Sequence, residues 1–259
     1  MSSVEAAPEW RDLGGLPARD GRRIRPRRLY RAGALQPDPT QRLALNALGL
    51  RLICDLRSAT ERAAHPCLEG LAGEPRRLHL ELSAVLDTGT APILQQLRRN
   101  PGVAAAEALM QRTYELLPSA CAPRLAELFA ALCEGEVPAL IHCTAGKDRT
   151  GFVIAMLLSA LEVPQQDILA DYLRAAQPEL LAVAQVRTAR LMELLFGQPL
   201  EHAAVLALST VRPEYLEASF SAIAREFGGL EDYLQRAARL DSQARRRLQS
   251  LVLAANTAH

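Results

Sequence analysis

Lysine is almost missing from this chain, with Lys147 alone among 29 arginines. Arginine fills nearly every cationic role, and the one exception asks for a local reason. Net charge is missing too. The 30 basic and 29 acidic residues cancel, which leaves no overall field of the kind that gathers nucleic acid, so any attraction for anions has to be local. No run approaches the roughly 18 uninterrupted apolar residues of a membrane span. The first eight residues show neither a basic start nor an apolar stretch. A cytoplasmic location is the expectation, with secretion by a route that needs no N-terminal signal left open. The five cysteines are odd in number and irregularly spaced, so nothing suggests a disulfide framework and the thiols are expected to be reduced.

What the chain has is length and apolar content. At 259 residues and 49% hydrophobic, it can bury a sizeable core as one domain with an appended helical part. Residues 1–9 are expected to be disordered. Residues 10–34 read as a hairpin around the Asp20-Gly21 turn. Residues 35–162 read as a sheet core, with a helix at 39–48, short buried strands at 51–56 and 139–142, and a further candidate strand at 77–82. Between them, residues 83–100 lose their apolar pattern around Gly89 and read as an irregular lid, followed by two helices at 103–117 and 122–133. A buried helix is expected at 150–161. Residues 163–259 read as helix throughout, at 164–176, 179–196 and 214–227 with two short helices after Gly228-Gly229. The sum is an α/β fold, a central sheet flanked by helices with a helical C-terminal extension.

The chemistry concentrates in His142-Cys143-Thr144-Ala145-Gly146-Lys147-Asp148-Arg149-Thr150. A strand that ends at His142 and a helix that begins near Arg149 leave Thr144, Ala145, Gly146, Lys147, Asp148 and Arg149 as a cup of backbone N–H groups. Such a cup suits a tetrahedral dianion, because the N–H groups and the positive end of the helix dipole converge on it. The same field favours a thiolate at Cys143, the nucleophilic form. Arg149 can grip two phosphate oxygens with its planar fork, and Thr150 could donate its hydroxyl to the sulfur. A phosphomonoester attacked by Cys143 is the chemistry these residues imply. A general acid is also needed for the departing oxygen. Asp148 in the loop is favoured, with Asp55 the alternative if its strand lies beside that of His142.

Rival readings fit less well. A nucleotide-binding loop needs Ser or Thr after Gly146-Lys147 and a Gly five positions before Gly146, where the chain has Asp148 and Ile141. A metal site on His142 and Cys143 lacks ligands at suitable spacing, and Cys54, His65, Cys67 and His79 are spaced more loosely still. No metal and no cofactor is expected. A catalytically inactive phosphate-binding module and a sulfur transferase remain as alternatives.

The segment from His142 to Gly151 resembles the bacterial protein tyrosine phosphatases whose loop reads His-Cys-x-x-Gly-Lys-Asp-Arg-Thr-Gly, and it matches every fixed position. Arg11-Asp12-Leu13-Gly14-Gly15, Tyr30-Arg31-Ala32-Gly33, Asp55-Leu56-Arg57 with Glu61, Asp171-Tyr172-Leu173 and Pro213-Glu214-Tyr215-Leu216 fall in the family's order. One departure is that Glu9-Trp10 precedes Arg11 where the family commonly has Asn-Phe. The resemblance implies hydrolysis of phosphotyrosine, often of phosphoserine or phosphothreonine, and in several members of phosphoinositides. Similar loops imply that Lys147 binds a second anionic group of a phosphoinositide. The arginines at 19, 22, 23, 25, 27, 28 and 31 could then add attraction for an anionic membrane surface. The expected partners are thus a phosphorylated protein or a phosphoinositide, and not nucleic acid.

Overall fold

The computed structural model describes residues 10–254; the expected disorder of residues 1–9 lies outside them. A five-stranded sheet runs in the order β1-β2-β5-β3-β4. Here β1 is Arg11–Asp12, β2 Leu29–Ala32, β3 Leu52–Asp55, β4 Arg76–His79 and β5 Ala139–His142. Only the β1 and β2 pairing is antiparallel. Central parallel strands are covered on both faces, so they read as continuous apolar runs, and every residue of β2, β3 and β5 is buried.

The pleat sorts these residues by twos. Leu29, Leu52, Cys54, Ala139 and Ile141 face the large core. Tyr30, Ala32, Ile53 and Leu140 face the smaller one on the other side. Ala32 and Asp55 both pair with His142, so β2, β5 and β3 finish level with one another. Whatever follows them is gathered into one crevice at their carboxyl ends, where open α/β sheets place their ligands.

The helices between strands are α1 (Pro39–Asn46), α2 (Ala59–Ala64), α3 (Ser83–Arg99) and α4 (Val103–Cys133). After β5 come α5 (Asp148–Ala160), α6 (Gln165–Leu173), α7 (Pro178–Phe196), α8 (His202–Ser209), α9 (Pro213–Phe227), α10 (Leu230–Asp232) and α11 (Ser242–Val252). α2 was not anticipated, and α8 lies in the stretch read as helix without having been set apart.

Two expectations fail between β4 and β5. Residues 83–99 form a helix, not an irregular lid. Gly89, read as a breaker, is a packing contact: a Cβ there would lie 2.4 Å from Leu116 Cδ1. Residues 103–133 form one helix of 31 residues instead of two. Pro118 lacks the N–H that would bond the Tyr114 carbonyl, and that carbonyl instead accepts from Ser219 Oγ of α9 at 2.6 Å. The helix continues because a neighbour supplies the missing donor. By length and composition α4 could cross a membrane, but Leu109, Leu117, Leu128 and Leu132 are buried in the protein core.

The expected hairpin is recognisable in the Pro17 and Arg23 bridge, yet its second arm is the interior strand β2 and not a separate ribbon. Its arginines are largely committed within the chain. Arg22 pairs with Asp20, Arg23 donates to the Gly15 carbonyl, Arg25 to that of Ser250 and Arg27 to that of Ala47. Arg31 is wholly buried, so it belongs to no membrane-facing patch.

Candidate active site

The loop between β5 and α5 is shaped by Gly146. Its φ is +73°, a conformation that L side chains resist, and a Cβ would lie 2.5 Å from the Gly33 nitrogen and 2.7 Å from the Ala32 carbonyl. The loop can therefore lie directly on the chain that leaves β2, where the Ala34 N–H donates to the Thr144 carbonyl at 3.1 Å. From below, Arg31 Nη2 donates to the Gly146 carbonyl at 2.8 Å while Nη1 donates to Asp171 Oδ2 at 2.7 Å. Arg11 Nε takes the other oxygen of Asp171 at 2.9 Å. Burial pushes the Asp171 carboxyl up, but Arg31 and Arg11 together hold it below the usual range. Three motif blocks far apart in sequence thus form one brace under the loop.

Within the loop, Cys143 is 2% exposed, and its Sγ accepts from the Gly146 N–H at 3.2 Å. Thr144, Ala145, Asp148 and Arg149 of the same loop remain partly exposed. Arg149 is held end-on by Glu61, Nη1 to Oε2 and Nη2 to Oε1 each at 2.7 Å. Burial would lower the Arg149 pKa, but Glu61 and then Cys143 raise it overall. Burial likewise raises that of Glu61, yet Arg149 and the Thr144 hydroxyl bring it down to about 2. A cavity of about 290 Å³, lined by Ser58, Glu61, Leu86, Asp87 and Arg149, opens beside this pair.

Glu61 stood in a motif block but had no role assigned. Its signal was present in Ser58-x-x-Glu61, a capping box. Ser58 N–H donates to Glu61 Oε2 at 2.8 Å and Glu61 N–H to Ser58 Oγ at 3.1 Å, so the cap of α2 aims the carboxylate at Arg149.

Asp148 is the first residue of α5. Its Oδ1 accepts from Tyr114 at 2.7 Å, and its Oδ2 lies 3.4 Å from Lys147 Nζ.

Three sequence expectations are corrected here. Asp55 does pair beside His142 in the sheet, as its candidacy for the acid required, but it is 5% exposed and Arg57 holds both its oxygens, at 3.0 and 2.8 Å. Burial raises its pKa, and Arg57 with His142 lowers it further than burial lifts it. A carboxylate closed off in this way has no proton to give.

Lys147 is not aimed at a substrate. Its Nζ is buried and donates to the carbonyls of Leu208 at 2.7 Å and Thr210 at 3.2 Å, where α8 ends and carbonyls lack helical partners. A compact ammonium suits the negative end of a helix dipole, which is the local reason for lysine here.

Thr150 is fully buried, and its hydroxyl bonds neither the sulfur nor anything else among the described residues. The carbonyl one turn back, that of Gly146, is already engaged by Arg31.

A metal fits poorly. Donor atoms of Asp55, Cys67 and His142 lie within 4.8 Å of one another, but the Arg57 guanidinium donates to both Asp55 and Cys67, which brings positive charge to where a cation would sit.

Comparison with known proteins bears on the family of the chain. Residues 2–254 match the model of the tyrosine phosphatase family. A Cupriavidus necator protein that carries the name of a tyrosine-protein phosphatase is 36% identical over 236 residues, covering 89% of this chain and 81% of its own. Triple specificity protein phosphatase PtpB of Mycobacterium tuberculosis is 31% identical over 246 residues, covering 82% and 86%. The crystal structure of P. aeruginosa TpbA aligns at 19% identity and a TM-score of 0.31 over 68% of this chain and 91% of that one, a likeness too slight to carry an argument. With the family model spanning nearly all of the chain and the loop folded around Cys143, the chain belongs to the tyrosine phosphatase family.

Proposed function

We propose that this phosphatase hydrolyses phosphotyrosine through a thiophosphate on Cys143. The sulfur attacks phosphorus as a thiolate. The P–S bond forms while the bond from phosphorus to the tyrosyl oxygen breaks, and Asp148 gives its proton to that oxygen, releasing the free hydroxyl. Water then attacks phosphorus and gives a proton to the Asp148 carboxylate. The P–S bond breaks, sulfur leaves as thiolate, and inorganic phosphate departs. Arg149, its two Nη groups held by Glu61, stabilises the charge spread over the transferring oxygens.

The observation that carries this reading is a buried Cys143 whose Sγ accepts from the Gly146 N–H, in a loop whose Asp148 and Arg149 remain partly exposed. Cys143→Ser tests it. The serine variant should lose all turnover of phosphotyrosyl peptide while still binding phosphate analogues, because the N–H cup survives and an alcohol is a far weaker nucleophile. Turnover by that variant above contamination would refute the mechanism. Phosphoserine, phosphothreonine and soluble phosphoinositides, assayed beside the phosphotyrosyl peptide, rank the further substrate classes.

A further inference from the structure

A chain of hydroxyls leads from the core to Asp148. Tyr172 of α6 donates to the Tyr114 oxygen at 2.8 Å, and Tyr114 of α4 donates to Asp148 Oδ1 at 2.7 Å. Tyr114 is 0% exposed and Tyr172 1%, so neither hydroxyl has water to turn to. Burial first, and then the nearby Asp148, keep the Tyr114 hydroxyl protonated far above the ordinary range. It acts as a donor and not as an anion. The ring is held as firmly as the hydroxyl, stacked on Tyr215 with centroids 5.6 Å apart and meeting Tyr172 edge-on at 6.1 Å.

This polarity constrains the carboxyl. An ionised or a neutral carboxyl can accept from Tyr114 at Oδ1, and in a neutral one the carbonyl oxygen is the stronger acceptor, which favours the proton on Oδ2. Two phenylalanines would fill the same volume without the cost of burying two hydroxyls. The hydroxyls are therefore better explained by what they do to Asp148 than by packing.

We propose that Tyr114 is a positioning residue for the general acid. It commits Oδ1 of Asp148, holds the carboxyl in one rotamer, and leaves the transferable proton on Oδ2; Tyr172 orients Tyr114 in turn. The proposal rests on the reading of Asp148 as the acid given above.

The test compares phenyl phosphate, whose leaving oxygen needs protonation, with para-nitrophenyl phosphate, whose leaving oxygen hardly does. Tyr114→Phe keeps the ring and removes the donor. Its kcat/KM on phenyl phosphate should fall about tenfold, and on para-nitrophenyl phosphate by less than about twofold, since a misplaced group can cost up to about a hundredfold. In an Asp148→Asn background the same substitution should change neither substrate by more than about twofold, because members of one unit are not additive.

Equal losses from Tyr114→Phe on both substrates, or a selective loss that persists without Asp148, would overturn the positioning role. If Asp148→Asn alone slows both substrates equally, the acid assignment itself fails and takes this proposal with it. Should Tyr114→Phe not fold, Tyr172→Phe decides: a selective loss of about two- to threefold supports the chain, and no selective loss overturns it.

Discussion

Arg31 Nη2 donates to the carbonyl of Gly146 at 2.8 Å, across 115 positions of sequence. The opposite edge of the same guanidinium is held by Asp171, which also receives Arg11. The loop of Cys143 therefore rests on a buried ionic brace, and the position of Asp171 is transmitted to the backbone of that loop.

Removing that anion should be costly in two ways. Asp171→Asn removes the carboxylate that the two buried arginines share, a change that costs about 3–5 kcal/mol when one partner of a buried pair is lost. Urea unfolding should show this loss, with activity falling further than the folded fraction because the Gly146 carbonyl loses its anchored donor. A variant with an unchanged unfolding midpoint would remove the brace from the account.

Acid should destabilise the protein in two stages. Burial lowers the His142 pKa from 6.5 to about 4, so the unfolded chain takes up that proton first. The neutral His142 contribution is whole above pH 6.5 and is lost as pH falls toward 4. Glu61 is lowered from 4.5 to about 2, so its contribution is whole above pH 4.5 and is lost as pH falls toward 2. Unfolding free energy should decline below pH 6.5 with a slope of at most about 1.4 kcal/mol per unit for each group. Glu61→Gln should flatten only the part below pH 4.5, while also lowering activity through Arg149. Parallel curves for the two proteins below pH 4.5 would contradict this.

Lys147→Ala should behave as a structural lesion. Two carbonyls at the end of α8 lose their donor, at about 1–3 kcal/mol for unsatisfied buried groups, and the thermal midpoint should drop. Turnover of para-nitrophenyl phosphate and of a soluble phosphoinositide should fall by the same factor. Lys147→Arg should rescue neither, because a planar fork does not fit a site built around an ammonium. A loss confined to the phosphoinositide would restore the substrate-binding role expected from the loop.

Ser219→Ala tests why α4 survives its proline. The Tyr114 carbonyl freed by Pro118 would be left buried without a donor, at about 1–3 kcal/mol. Denaturant midpoints read this directly. Tyr114 also carries the hydroxyl that faces Asp148, so some loss of activity should accompany the loss of stability.

Much was legible in the chain itself, because it is written in local pattern. Short apolar runs at 51–56 and 139–142 became β3 and β5, since a strand covered on both faces needs little else. Cys143, Gly146 and Arg149 could be read because a phosphate cup needs a glycine with freedom of φ and an arginine at fixed spacing, all within a few residues. The helix around Gly89 and the unbroken α4 were not legible. Glycine and proline are poor helix residues by themselves, and what reverses that here, Leu116 against Gly89 and Ser219 beneath Pro118, comes from residues distant in sequence.

The same division runs through the site. Local sequence determined which residues share the loop, since they occupy consecutive positions. Only the tertiary structure decided the work of each charge around it. Asp55, Asp148 and Lys147 were chemically eligible for substrate or proton. Arg57 closed off the first, Tyr114 oriented the second, and the end of α8 claimed the third. A buried charge settles on whichever partner best replaces water, and that partner is chosen by how the helices pack.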